Sequence, residues 1–353
     1  MDFSFTEEQS MLADVARQLL ADSCAPEHLR RMMADARVRD DARWAKLAEL
    51  GLFGALAPEA SGGLGLAARD FVLVAEACGY AALPEPLIDH VGVAIPLLAA
   101  AASDRRADLL ARAIAGDAML AVLHSRQVLV PHADGAEAIL VMRDDEIHLL
   151  PRESATLIAQ PSIDVFRNLF SVDGALTSQT LLARGAEAKA LSDAALDRGA
   201  LFAAAQLLGL AQRQVDLAVA YAKDRTQFGK PIGSYQAIKH HLANAQVRIE
   251  FARPVVYAAS GSLEAATPQS RARISHAKLA AAAAADFASR IAVQTHGAMG
   301  YSWEVDVHLY LKRALALDSA WGTAAFHRSR VRDRIFQAPV GPERTFAMEP
   351  AGA

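Results

Sequence analysis

Cysteine is nearly absent. Only Cys24 and Cys78 occur in 353 residues, far apart and in no metal or redox spacing, so neither a disulfide framework nor a zinc site is on offer. Both read as reduced core thiols of a cytoplasmic protein. Aromatic residues make up 6% of the chain against 53% hydrophobic; a core this poor in rings is built from alanine and leucine, which favours helices over sheets. A dominant charge is missing too. The net charge of -4 leaves no basic face for nucleic acid and no acidic tail, so any phosphate has to be held locally. Met1-Asp2-Phe3-Ser4 lacks a basic region followed by an apolar one, and no uninterrupted apolar run approaches about 18 residues. The expectation is a soluble cytoplasmic protein with no membrane partner.

The length implies two or three domains rather than one small core. Residues 1–116 read as helices: Thr6-Glu7-Glu8-Gln9 fits a capping box, and Met11, Leu12, Val15, Leu19 and Leu20 repeat on one face. Gly63, Gly65 and Ala68 have the spacing of a dinucleotide fingerprint, but no strand precedes them, so they read as a loop between helices. Residues 117–185 carry short β-like runs (119–123, 128–130, 138–142, 146–150, 155–159 and 168–172) separated by Asp, Gly and Pro. Residues 186–353 return to helix, with long patterns at about 189–223, 234–263, 268–295 and 303–335 and a proline- and glycine-bearing tail from Gln337 that is expected to wrap or fray. The fold class is mainly α with a small β domain.

The stretch Gln212–His241 organises the last part. A long helical pattern breaks at Gly229-Lys230-Pro231 and a new helix starts near Ser234. The elbow presents Arg225, Gln227 and Phe228 together: a charged fork, an amide and a flat ring, suited to an aromatic ligand that carries phosphate. An ordinary helix turn with a solvated arginine has the same spacing.

Asp224-Arg225-Thr226-Gln227-Phe228-Gly229-Lys230-Pro231-Ile232, followed by Tyr235-Gln236-Ala237-Ile238, resembles the signature of the acyl-CoA dehydrogenase family. Gln294-Thr295-His296-Gly297-Ala298-Met299-Gly300-Tyr301 is similar to its Gln-x-x-Gly-Gly-x-Gly-Tyr motif, with Ala298 in place of the second glycine. The resemblance implies the family's fold: an N-terminal helical domain, a middle β domain that is reduced here, and a C-terminal four-helix bundle. It also implies FAD as cofactor, acyl-CoA as substrate and an electron-transfer flavoprotein as electron acceptor. Arg225, Gln227, Phe228, Gln294 and Gly297 then stand where the family touches the neighbouring subunit's FAD, and Thr323 falls at a further cofactor position.

The same comparison shows losses. The family's flavin-cradling Thr-Glu-Pro-Gly-x-Gly-Ser-Asp segment has no counterpart; the chain reads Ala121-Val122-Leu123-His124-Ser125-Arg126 there. Trp321 occupies the position of the catalytic glutamate, and Gly199 and Ala200 fall at the family's second base position. An indole cannot accept the α-proton. Asp318 is a fallback acid, and it and Asp197 read as solvated or helix-capping aspartates. The implied protein is therefore the FAD-contacting, non-catalytic subunit of a heteromer with a homologous dehydrogenase chain. It resembles the bacterial enzymes that act on bulky CoA thioesters, fatty or steroid side chains among them. The alternatives are a structural or binding subunit without flavin, and a homo-oligomeric flavoenzyme that uses a non-standard acid.

Overall fold

Thr6 accepts from the Gln9 amide at 3.2 Å while the Gln9 side chain accepts from the Thr6 N–H at 2.9 Å, so the expected capping box opens α1 (Glu7–Ser23). The computed structural model describes residues 4–101, 106–143 and 145–337; the expectations for Met1–Phe3 and for the tail beyond Gln337 lie outside these. After α1 come α2 (Pro26–Ala34), α3 (Asp41–Glu49, capped by the Asp40 carboxylate) and α4 (Ala68–Tyr80). The glycine-rich residues 62–65 form the loop ahead of α4, as the missing strand requires. The short α5 (Leu87–Asp89) continues through a π turn (His90–Ala94) into α6 (Ile95–Ala101), and α7 (Ala107–Ala115) follows.

The middle of the chain forms two small sheets. One has the order β1 (Leu120–His124), β3 (Ala138–Arg143), β4 (Glu146–Pro151) and β7 (Leu181–Arg184), with β1 and β3 parallel. The other has the order β2 (Val130–Pro131), β6 (Leu169–Gly174), β5 (Ala155–Gln160). Central β3 is buried along both faces until Arg143, which suits its unbroken Ala-Ile-Leu-Val-Met run. Sequence patterning missed β7. Its four residues run straight into the next helix and show no alternation of their own.

That helix is α8 (Gly185–Asp224), 40 residues and roughly 60 Å long. It is long and apolar enough to cross a membrane, yet 83% of its most apolar window is buried inside the protein. It is the axis of the bundle, packed by α9 (Gln236–Ser260), α10 (Pro268–His296) and α11 (Val307–Ser319). The pattern expected as one helix over 303–335 is two, α11 and α12 (Ala324–Gln337). The break falls where Trp321 and Gly322 take φ of 57° and 109°, a left-handed pair that no helix can carry through. Lys278 of α10 closes α11 by donating to the Leu317 and Asp318 carbonyls, both at 2.8 Å.

The crossing of α4 on α8 carries most of the contact between the first helices and the bundle. A Cβ added to Gly79 of α4 would stand 2.0 Å from the Gln206 carbonyl oxygen, and one added to Gly209 of α8 would stand 2.0 Å from that of Glu76. The two backbones touch because neither helix has a side chain there. Beside it, the fully buried pair Arg43–Glu85 ties α3 to the turn before α5 through bonds of 2.7 and 2.8 Å.

Candidate functional site

The elbow after α8 is a β-hairpin. β8 (Thr226–Gln227) pairs with β9 (Lys230–Pro231) across a two-residue turn, Phe228 and Gly229, whose φ values are 52° and 79°. Two consecutive positive φ values are the requirement of a tight hairpin turn; Gly229 meets it freely, and Phe228 does so at a cost. The ring is displayed rather than packed: Phe228 is 92% exposed and touches Tyr235 only edge-on, at 6.4 Å between centroids. The Tyr235 hydroxyl donates to the Gln227 carbonyl at 3.1 Å and Lys230 lies over its ring at 4.4 Å, so Tyr235 holds the hairpin from below. Arg225 is exposed, and among the described residues its guanidinium has no hydrogen-bond or ion-pair partner. The Gln227 amide donates only to the adjacent Thr226 carbonyl, at 2.8 Å.

The second candidate stretch stands at the same end of the bundle. Tyr221, one turn before Arg225, stacks on His296, one residue before Gly297, with ring centroids 4.2 Å apart and planes 26° from parallel. His296 Nδ1 donates to the Ala292 carbonyl at 2.7 Å, which fixes its ring. Gly297 has φ 59° and ψ -134°, a conformation closed to other residues, and a Cβ there would meet nothing within 4 Å. Gln294 is exposed beside it. The result is an edge bearing a free guanidinium, a bare ring and open main chain. Such an edge can receive one half of a large, flat, anionic ligand. Thr323 does not belong to it: its hydroxyl accepts from the Phe326 N–H at 3.3 Å and opens α12.

The position expected for the base is filled. Trp321 is 2% exposed, and its indole N–H donates to Asp89 at 2.9 Å. Its carbonyl accepts from His327 Nε2 at 3.1 Å, while His327 Nδ1 meets the Ser275 hydroxyl at 3.1 Å. Burial brings His327 down to about 4 and His124, whose ring lies 6.2 Å from the indole, also to about 4, so both stay neutral. The remaining hollow beside Trp321 has about 40 Å³ and is walled by Asp89, His132, Arg167, Gln206 and Arg313 among others. That is water-sized.

Sequence reading missed Asp89, the acid that meets the indole. Its signal was an isolated Asp-His pair inside the apolar run that begins at Leu87. Burial raises the Asp89 pKa against the pull of Arg167 and the indole N–H. The two acids singled out from sequence sit elsewhere. Asp197 is not solvated: it is buried 2.6 Å from Arg330 and 3.4 Å from Arg271, because α12 and α10 close over that face of α8. Asp318 is exposed at the end of α11 and lines a hollow of about 290 Å³ with Asp286 and Arg328, whose lining does not include Trp321. Among the described residues no cluster of His, Cys, Asp or Glu could hold a metal ion.

Two family profiles match the chain: that described as acyl-CoA dehydrogenase, N-terminal domain, over residues 6–117, and acyl-CoA dehydrogenase, C-terminal domain, over residues 190–336. Acyl-CoA dehydrogenase IpdE2 of Mycobacterium tuberculosis is 34% identical over 309 residues, 87% of this chain and 91% of the relative. The ChsE4-ChsE5 complex from Mycobacterium tuberculosis contains a chain that superposes with a TM-score of 0.82 at 23% identity, covering 96% of this chain and 100% of that one. A chain of the Tcur3481-Tcur3483 steroid ACAD superposes with a TM-score of 0.83 at 24% identity, covering 94% and 98%. These superpositions bear out the expected fold.

Proposed function

Because this chain belongs to the acyl-CoA dehydrogenase family, we propose that it is a non-catalytic subunit which lends its hairpin edge to an FAD held mainly by a homologous partner chain. The observation that carries the reading is Trp321, buried, hydrogen-bonded to Asp89 and packed where a base would need room for a substrate. The α,β-dehydrogenation of an acyl-CoA needs a carboxylate near the α-carbon, and the neighbourhood of Trp321 has no free one: Asp89 accepts the indole N–H and the hollow it borders holds water at most.

The residues fit half of the cofactor. FAD, when bound, supplies the hydride acceptor of the reaction. Arg225 would neutralise pyrophosphate charge, Phe228 would lie against a flat ring system, and the open backbone at Gly297 would admit the nucleotide without side-chain obstruction. All three groups face outward and are unused within the chain, which suits a ligand that belongs to a neighbour. Support for a partner also comes from α9: Val247 and Phe251, one turn apart, are 50% and 76% exposed. The names of the ChsE4-ChsE5 and Tcur3481-Tcur3483 structures describe two-chain assemblies, consistent with a heteromer here. A bulky acyl-CoA is the corresponding substrate class, processed on the partner, and an electron-transfer flavoprotein is the corresponding electron acceptor.

The test is to purify the chain alone and with a homologous dehydrogenase encoded beside it. The lone chain is expected to be colourless and inactive; the complex is expected to be yellow and active. Stoichiometric FAD and full activity in the lone chain would refute the proposal.

A further inference from the structure

A second cavity is much larger than the hollow at Trp321. A space of about 490 Å³ opens between α1, the end of α4, the second half of α8 and α11, within the size range of small-molecule sites. Gly209, Gln212 and Arg213 contribute to it from α8, ten to fourteen residues beyond Gly199, which places it roughly 15–20 Å along the helix from the indole.

Its walls are mostly apolar, from Leu20, Ala21, Pro26, Ala77 and Ala81, and its polar groups are unevenly satisfied. Glu76 is fully engaged: it pairs with Arg253 and accepts from the Tyr257 hydroxyl at 2.7 Å. Arg17 is paired with Asp14. Arg213 is different. Its Nε and Nη1 reach only the hydroxyls of Tyr310 and Tyr80, at 3.3 and 3.5 Å, and its guanidinium lies 5.2–5.5 Å from the centres of those two rings. The Tyr80 hydroxyl donates onward to Asp216 at 2.8 Å. Among the described residues no carboxylate pairs with Arg213, and its Nη2 has no partner. The remaining ionisable groups stay neutral, since burial holds Cys24 at about 11 and raises both tyrosines. Asp306 acts on Arg213 only through space, without a bonded contact, and a half-buried cation lining an apolar cavity is costly without a bonded anion. One free guanidinium suits a monoanion; a phosphate dianion would ask for a second free cation, and Arg17 and Arg253 are both taken.

We propose that this cavity binds a free apolar monocarboxylate, with its carboxylate on Arg213 and its chain against the wall of Leu20, Ala77 and Ala81, at a site separate from the cleft at Trp321. Binding without turnover is implied, because no activated nucleophile lines the cavity.

Calorimetric titration of the full chain with decanoate and, separately, with decanol tests it. Decanoate is expected to bind with 1:1 stoichiometry and at least about tenfold more tightly than decanol. Arg213→Gln is expected to weaken decanoate by about ten- to a hundredfold, the loss of a hydrogen-bonded charge, and to leave decanol unchanged. Ala81→Leu, which fills the cavity, is expected to weaken both. Equal affinity of wild type for the acid and the alcohol, or no decanoate binding at millimolar concentration, overturns the proposal, and that comparison stands even where a variant fails to fold. No flavin enters the experiment, so its outcome is independent of the cofactor-sharing role.

Discussion

The indole of Trp321 lies on the bare backbone of Gly199: a Cβ placed on that glycine would stand 2.1 Å from the ring carbon Cδ2. The two positions at which the family resemblance places a base therefore occupy each other's space. A carboxylate at 199 has no room while the indole is there.

Gly199→Ala is expected to push the indole aside and to destabilise the fold by about 1–3 kcal/mol, the range for overpacking a core. Adding Trp321→Phe should recover part of that loss, because the smaller ring leaves space. A double-mutant cycle by urea unfolding, with an interaction energy beyond about 0.5 kcal/mol, checks it. Simple additivity of the two changes would mean that the contact does not bear on stability.

Phe228 is expected to separate stability from cofactor retention. With φ 52° it carries the strain of a left-handed residue, and Phe228→Gly should stabilise the lone chain by about 1 kcal/mol. The same change should lower the FAD content of the complex. Arg225→Ala should also bleach the complex while shifting the melting temperature of the lone chain by less than about 1 °C, since the side chain is exposed and makes no hydrogen bond or ion pair among the described residues. Unchanged flavin absorbance in both variants would remove the hairpin from the cofactor site.

Removing one partner of the buried ion pair should be costly. Glu85→Gln leaves Arg43 uncompensated in a fully buried setting, for an expected loss of about 3–5 kcal/mol in chemical denaturation. A loss below about 1 kcal/mol would show that water reaches the guanidinium.

Acid sensitivity should begin above the carboxylate range. His90, His124, His132 and His327 are all held at about 4, chiefly by burial, against 6.5 in the unfolded chain. Between those values the unfolded state binds protons that the folded state refuses, so stability is full above about 6.5 and falls as pH drops towards 4. Each histidine contributes up to about 1.4 kcal/mol per pH unit in that window. His90 shows why: its Nδ1 accepts the Leu120 N–H at 3.1 Å, leaving Nε2 to donate to the Ala113 carbonyl at 3.2 Å, and a second proton would displace the Leu120 bond. Calorimetric melting temperatures from pH 7.5 to 4.5 should fall steadily; a flat profile down to pH 5 would contradict this.

Much of the fold was legible because local signals agreed with it. The Thr6–Gln9 box, the glycine break at 229 and the short β-like runs each announce themselves within a few residues. Parts that depend on distant partners did not. β7 exists because β4 pairs with it, and the turn at Trp321 exists because Gly199, Asp89 and His327 receive the indole and its carbonyl from three other elements. Asp197 shows the same limit: nothing near it in sequence announces Arg271 and Arg330. The motif residues were readable, but the acid that matters to Trp321 was not, since Asp89 is 232 positions away.

The glycine contact between α4 and α8 also sets a timetable. During synthesis α4 emerges complete at Tyr80, but the surface that accepts Gly79 does not exist until Gly209 has been added. The notch on the opening helices therefore stays unfilled while the 129 residues from Ala81 to Gly209 are added, and its apolar surface is exposed throughout that interval.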